Sequence, residues 1–139
     1  MKLGLLVLSL LLVSSGQAAP QDDARKALER FQGNWLITTF NGDTVPAEAE
    51  AYLVFAGDKY EQWMGNEVTE RGSFRVDAST TPMTIDLAIA EGSDAGSTQL
   101  GLVQLDAETM ALGLAAPGGR TRPGSMAQAE IYATLKKAK

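Results

Sequence analysis

The chain has 139 residues, with 17 acidic and 12 basic side chains, no histidine and no cysteine. The absence of both residue types excludes histidine- or cysteine-based nucleophilic catalysis, thiol redox chemistry, and zinc, haem or iron–sulfur sites held by these side chains. An acidic chain without a basic run is also a poor binder of nucleic acids and anionic membranes, since both are recognised by neutralising phosphates.

The N-terminus has the layout of a secretory signal peptide. Lys2 gives a positive start, residues 3–13 form an apolar segment of 11 residues, and small and polar residues continue to Ala18. A bilayer span needs about 20 apolar residues, and no basic stop-transfer flank supports the alternative of an uncleaved anchor. Gly16 and Ala18 are small residues at positions −3 and −1 of a cleavage site after Ala18, as signal peptidase cleavage requires. We therefore expect residues 1–18 to be removed, the chain to be exported to the periplasm or secreted, and the mature form to have no membrane span.

Residues 19–139 are expected to form a single domain. They number 121 and carry a net charge of −6 once Lys2 is lost with the signal peptide. A chain of this length buries about two-thirds of its unfolded surface, which is enough for a core without disulfides. The excess negative charge favours solubility.

A short helix is predicted at the start of this domain, over residues 24–31. Asp22 and Asp23 precede it, where acidic side chains favour a helix N-terminus, and its apolar residues recur at helical spacing. Gly33 is placed to end it.

From residue 34 onward the pattern is one of strands and turns. Eight strands are predicted, at residues 35–40, 52–56, 59–64, 67–76, 83–90, 98–105, 109–115 and 128–136. Apolar and polar residues alternate in several of them, which is typical of antiparallel strands with one dry face. Short connections favour pairing in chain order. The predicted fold is therefore all-β: an eight-stranded antiparallel up-and-down barrel with a short N-terminal helix capping one end.

Several motifs resemble those of a lipocalin-like domain family of exported hypothetical proteins common in planctomycetes. The matching segments cover nearly the whole mature chain in the right order, and they include Leu28-x-x-Phe-Gln-Gly-Asn-Trp-x-Ile, Leu53-Val-Phe-Ala-Gly-Asp-Lys-Tyr, Gly72-Ser-Phe-Arg-Val-Asp and Pro82-Met-Thr-Ile-Asp-Leu. The resemblance implies the lipocalin-like barrel but no activity, because that family is defined without one.

The Gly33-x-Trp35 element also resembles the first-strand motif of the wider lipocalin group. That resemblance implies structural roles for Gly33 and Trp35, with the tryptophan closing the floor of the barrel. It also implies a basic residue near the end of the last strand packed on the indole ring, a role for Lys136 or Lys137.

A ligand pocket is the first candidate site. Aromatic and methionine side chains on adjacent predicted strands would line it: Tyr52, Phe55, Tyr60, Trp63, Met64 and Phe74. An eight-stranded barrel either fills its interior with side chains or holds one small ligand, so ordinary core packing is the alternative for these residues.

Charged residues supply three further candidates. Arg120 and Arg122, in the loop before the last strand, would clamp an anion at the barrel mouth, or they are simply solvated. Glu61, Glu67 and Glu70 would supply an acid and a base for glycoside cleavage, or an ordinary charged outer face. Glu91 and Asp94 would bind calcium weakly, but their spacing fits no calcium-loop signature. We expect no metal site, no catalytic residues and no cofactor.

Two functions remain open from the sequence. The first is an exported non-enzymatic binding module that holds a small hydrophobic or amphipathic ligand in the barrel. The second is an interaction or inhibitor domain that binds an envelope protein or glycan through its outer surface or loops. What discriminates between them is whether the barrel has an internal cavity lined by the aromatic residues named above; a solidly packed interior would favour the second function.

Overall fold

The computed structural model describes residues 20–138, with side chains from residue 24 onward. The predicted signal peptide and its cleavage site lie outside the described residues. The elements in chain order are α1 Pro20–Phe31, β1 Gly33–Phe40, β2 Asp43–Thr44, β3 Ala51–Ala56, β4 Lys59–Met64, β5 Glu67–Asp77, β6 Met83–Glu91, β7 Thr98–Leu105, β8 Thr109–Leu114 and β9 Ile131–Lys137. Single 3₁₀ turns occur at Ala47–Ala49 and Met126–Gln128.

The strands form a closed antiparallel barrel, which confirms the predicted fold. The sheet order is β1-β3-β4-β5-β6-β7-β8-β9, and β1 pairs with β9 to close it, for example Trp35 opposite Lys137. Closure leaves every main strand paired on both sides, which removes the exposed edges of an open sheet.

Three local features differ from the sequence-based prediction. The last strand, predicted over residues 128–136, begins only at Ile131, because Met126–Gln128 forms a 3₁₀ turn. The helix begins four residues early, at Pro20; proline is tolerated in the first turn because its missing N–H has no helical partner there. The predicted loop before β3 contains the two-residue strand β2, which folds back on β1 after the Asn41-Gly42 turn, with Phe40 opposite Asp43. Pro46 follows shortly and cannot donate to a continuing ladder. Among the described residues, no helix is both long and apolar enough to cross a bilayer.

Helix α1 closes one end of the barrel, which we call the closed end. Arg30 Nη2 donates to the carbonyl of Leu105 at 2.7 Å. Gln32 clamps the β3–β4 turn, accepting from the Gly57 amide at 2.7 Å and donating to its carbonyl at 2.9 Å. Phe31, the last helical residue, is fully buried in the core. These contacts plug the interior at the start of β1.

Residues 116–130, which make up most of the connection between β8 and β9, pack along the outside of the barrel, and we call this segment the strap. Gly113 faces outward, and a Cβ there would lie 2.8 Å from Met126 Sδ and 3.1 Å from the Ala129 Cβ. Leu102 faces the same side, opposite Gly113, and is buried. The strap therefore covers the outer wall around β7 and β8.

Candidate functional site

The structure divides the six predicted pocket residues between the two faces of the barrel wall. Pairing fixes the faces, because residues directly opposite each other on neighbouring strands point to the same side. Phe55, Tyr60, Met64 and Phe74 lie on the inward face. Tyr52 and Trp63, which are opposite each other on β3 and β4, lie on the outward face. The six side chains therefore do not line one common cavity.

Phe55 and Phe74 belong to the core at the closed end. Their rings meet Phe31 at centroid distances of 5.7 Å each, and each other at 4.9 Å. All three residues are buried in the main core cluster. Phe55 and Phe74 are therefore ordinary core residues rather than pocket residues, because Phe31 of the helix fills the space that a deeply bound ligand would need.

Gly33 and Trp35, the two residues with predicted structural roles, lie at this end next to the last strand. Trp35 is 0% exposed, and its Nε1 donates to the carbonyl of Phe31 at 2.7 Å. Lys137 Nζ lies 5.6 Å from the centroid of the indole ring. Gly33 has a φ of +115°, in the region that disfavours residues with a Cβ. Of the two lysines considered for the contact with the ring, Lys137 makes it.

The opposite end of the barrel, which we call the open end or the mouth, exposes large apolar side chains. Phe40 ends β1 and Met64 ends β4; they are large apolar residues 46% and 44% exposed. Both occupy inward positions, because Phe40 lies opposite the buried Ala133 and Met64 opposite the buried Ala51. Apolar side chains that point toward the barrel axis are thus in contact with solvent at this end.

Polar groups line the inner wall below this rim. The Tyr60 hydroxyl donates to Glu70 Oε2 at 2.8 Å, and Gln62 lies opposite Glu70 on the inward face. Tyr60 is 2% exposed, whereas Gln62 and Glu70 are half-buried. Burial, and secondarily the hydrogen bond and negative charge of Glu70, raise the pKa of Tyr60 well above its usual value. Tyr60 therefore keeps its proton and orients the Glu70 carboxylate.

The outward aromatic pair adjoins a groove on the outer wall. One depression of about 580 Å³ runs over β3 to β6, and a second of about 290 Å³ lies beside Tyr52 and Trp63. The two share Val54 and Glu61 in their walls. We call the joined depressions the outer groove.

Three charged side chains form a connected row in this groove. Arg71 donates from Nε to Glu61 Oε2 at 2.7 Å and from Nη1 to Glu91 Oε2 at 3.1 Å. Trp63 Nε1 donates to the other Glu61 oxygen at 3.1 Å. The bonds from Arg71, and then from Trp63, lower the pKa of Glu61. The row orients both the indole and the guanidinium group.

The two arginines of the predicted anion clamp lie in the strap. Arg122 donates from Nη1 to the carbonyls of Ile85 and Gly101 at 3.1 and 2.8 Å, and from Nη2 to Asp86 Oδ1 at 2.7 Å. Arg120 is exposed. The guanidinium of Arg122 thus fastens the strap to the outer wall of β6 and β7, away from the barrel mouth.

The remaining acidic candidates are separated by the fold. Glu61 faces outward and Glu70 inward, so the wall of the barrel lies between their carboxylates, and Glu67 is exposed at the β4–β5 turn. Glu91 is bonded to Arg71. Within residues 20–138, no cluster of three or more histidine, cysteine, aspartate or glutamate side chains is arranged to hold a metal ion.

Sequence reasoning missed Phe40, Gln62 and the inward position of Glu70. Strand alternation could have predicted the inward position of Glu70, because Glu70 stands two residues before Gly72 and four before Phe74, on the same face of β5. Gln62 and Glu70 interrupt otherwise apolar inward positions. The prediction for Glu70 was an acid–base pair or an ordinary charged outer face, whereas its side chain faces inward at the open end of the barrel.

Comparisons of this chain with known proteins do not assign it to a family. No family model, no curated protein and no solved structure matches the chain.

Proposed function

We propose that this protein is an exported, non-enzymatic binding module that holds a small amphipathic ligand at the open end of its barrel. The observation that carries the proposal is the position of Phe40 and Met64, the exposed large apolar residues of the described chain, which both point inward at that end. Exposed apolar surface rimmed by polar groups typically marks a binding site. The filled closed end restricts the ligand to the mouth.

The inner wall supports a ligand with a hydrogen-bond donor on its polar head. Glu70 presents a carboxylate that only accepts hydrogen bonds, and Tyr60 already occupies one of its oxygens. Gln62, on the same face, supplies both an acceptor and a donor. An alkyl chain would contact Phe40 and Met64 while an amine or hydroxyl head reaches Glu70. An anionic head would face the carboxylate and be repelled.

The same groups favour binding over catalysis. The raised pKa of Tyr60 holds its proton in place, so the hydroxyl is a fixed donor to Glu70 and a poor proton-transfer partner. Glu61, the nearest acidic residue on β4, faces the other side of the wall. The mouth therefore presents one oriented acceptor and an apolar rim, which is a recognition surface.

A calorimetric comparison of two alkyl ligands tests the proposal. The mature protein would be titrated with dodecylamine and with dodecanoate below their micelle-forming concentrations. We expect the amine to bind at least about tenfold more tightly, the effect of exchanging a favourable charged hydrogen bond for repulsion. Glu70→Gln should reduce that preference to about twofold or less.

Glu108→Gln is the control, because it removes the same charge at an exposed position in the β7–β8 turn, at the closed end of the barrel. It should leave the preference for the amine intact. Equal affinities of the two ligands for the wild-type protein, or equal effects of the two substitutions, would overturn the proposal. The first of these outcomes needs no variant and does not depend on how well Glu70→Gln folds.

A further inference from the structure

The outer wall of the barrel is covered on one side and bare on the other. The strap packs over β7 and β8 and is fastened to β6 and β7 by Arg122. The outer groove lies on β3, β4, β5 and the last residues of β6, beyond that cover. This wall carries Tyr52 and Trp63, two aromatic side chains that the core does not use. Two aromatic side chains next to each other on an uncovered sheet face offer the large, rigid apolar surface that interaction sites use.

The groove owes its depth to small residues. Its floor includes Ala56, Ser73 and Ala90, where larger outward side chains would fill the space. The floor is therefore flat and mostly apolar, and the Glu61–Arg71–Glu91 row stands along it.

The walls combine aromatic rings with planar hydrogen-bonding groups. Tyr52 and Trp63 stand opposite each other at one end, next to the amide of Asn34. Arg71 uses Nε and Nη1 in the row, and among the described residues its Nη2 has no hydrogen-bond partner. The row thus offers carboxylate acceptors beside a guanidinium donor at fixed positions.

The charges of the groove balance. Glu61 and Glu91 are acidic, Arg71 and Lys59 are basic, and all four line the larger depression. A balanced site gives little attraction to a polyanion or a polycation. It suits a neutral ligand that exposes apolar C–H surfaces to the rings and many hydroxyls to the polar row. A neutral glycan has both features, since each sugar ring has a C–H face and a hydroxyl rim.

We propose that the outer groove is a second binding site, for a neutral glycan chain, with sugar rings stacked on Trp63 and Tyr52 and hydroxyls bonded to Glu61, Arg71 and Asn34. The two depressions together run across four strands, β3 to β6, so the site takes several consecutive sugars. This site is separate from the barrel mouth, because its side chains face the opposite side of the wall.

Nuclear magnetic resonance of the two tryptophan side chains gives a direct test. The chain has only two tryptophans, Trp35 fully buried at the closed end and Trp63 in the groove. The mature protein would be titrated with neutral hexasaccharides of glucose, mannose and N-acetylglucosamine. We expect at least one of them to shift the indole N–H signal of Trp63 while that of Trp35 stays unchanged. The affinity should change less than about twofold between about 50 and about 500 mM salt, because a neutral ligand is not screened.

Variants locate the site. Trp63→Ala and Tyr52→Ala should each weaken glycan binding about tenfold or more, the loss expected for an aromatic contact at the centre of a site. Tyr132→Ala is the control, since Tyr132 faces outward on β9 beyond the groove; it should bind as the wild type does. Either groove variant suffices if the other folds poorly, as judged by its urea midpoint.

Three results would overturn the proposal. One is the absence of a Trp63 shift with every neutral hexasaccharide at millimolar concentration. Another is tighter binding of a hexamer of galacturonate, of the cationic glucosamine hexamer or of a mixed-sequence hexapeptide. The third is equal loss of binding in the Tyr132 and Tyr52 variants. None of these results bears on amine binding at the barrel mouth, which Glu70→Gln tests separately.

Discussion

At the scale of single residues, Trp35 is expected to make a large contribution to the stability of the fold. Its ring is fully buried, its Nε1 donates to the end of α1, and Lys137 lies over its face. We expect Trp35→Ala to lower the free energy of unfolding by about 3–5 kcal/mol, the usual cost of emptying a large aromatic side chain from a core. Urea melts of the purified variant followed by circular dichroism measure it.

Trp63→Ala provides the comparison for that prediction. Trp63 is half-buried on the outer wall, and its one hydrogen bond goes to an outward carboxylate. Its removal leaves no core cavity, so the loss of stability should be clearly smaller. A midpoint for Trp63→Ala equal to or below that of Trp35→Ala would contradict the structural role assigned to Trp35.

Tyr60 makes stability depend on pH in the alkaline range. Burial first, and then Glu70, raise its pKa in the folded state above the ordinary value of about 10. Below about pH 10 both states hold the proton, so the group contributes no pH dependence. Above that pH the unfolded tyrosine releases its proton while the folded one keeps it, and stability falls as pH rises. The slope through this group is about −1.4 kcal/mol per pH unit.

Tyr60→Phe isolates this effect, because it removes the hydroxyl and keeps the ring. Urea melts of both proteins at about pH 9 and about pH 11 give the measurement. The advantage of the wild type over the variant should shrink between the two pH values. An advantage that stays constant would show that the hydroxyl titrates alike in the folded and unfolded chain.

At the scale of elements, the strap depends on Arg122. This side chain makes three hydrogen bonds to β6 and β7, two of them to backbone carbonyls. Its ion pair with Asp86 is about one-third exposed and adds little by itself, whereas charged hydrogen bonds to the backbone contribute more. We expect Arg122→Ala to release the strap and raise the rate of proteolytic cleavage within residues 116–130 about tenfold.

Arg120→Ala is the matched control, because it removes the same side chain from an exposed position two residues away. Limited proteolysis with mass mapping of the fragments compares the two variants. Cleavage at the same rate in both, or new cleavage in the barrel strands rather than the strap, would contradict the fastening role of Arg122.

At the scale of the whole molecule, the chain that begins at Ala19 should fold as one cooperative unit. Helix α1 begins at Pro20, so cleavage after Ala18 leaves it and the barrel complete. We expect far-UV circular dichroism to give well under about one-third helix. Urea unfolding followed by dichroism and by tryptophan fluorescence should coincide. Separate transitions would indicate that the helix end unfolds independently, and mass spectrometry of the exported protein checks the predicted start at Ala19.

The architecture was predictable because it depends on short-range patterns. Alternation in residues 83–90, and turn signals such as Asn41-Gly42 and Gly65-Asn66, are properties of neighbouring residues, and they yielded eight strands in the observed order. The candidate site was harder. Tyr52 and Phe55 were assigned to the same pocket although three positions separate them, and an odd separation along a strand puts them on opposite faces.

The sequence by itself determined the closed antiparallel barrel, its capping helix and the burial of Trp35 after Gly33, since period-two hydrophobicity, turn chemistry and one large ring specify them locally. Only the tertiary structure decided which surfaces are open. Whether Glu70 faces Tyr60 or solvent depends on strand register and on the bulge between Gln62 and Trp63. Whether Arg122 meets a ligand or the wall depends on where the strap returns. Contacts between residues distant in the chain settle both, and local propensity carries no information about them.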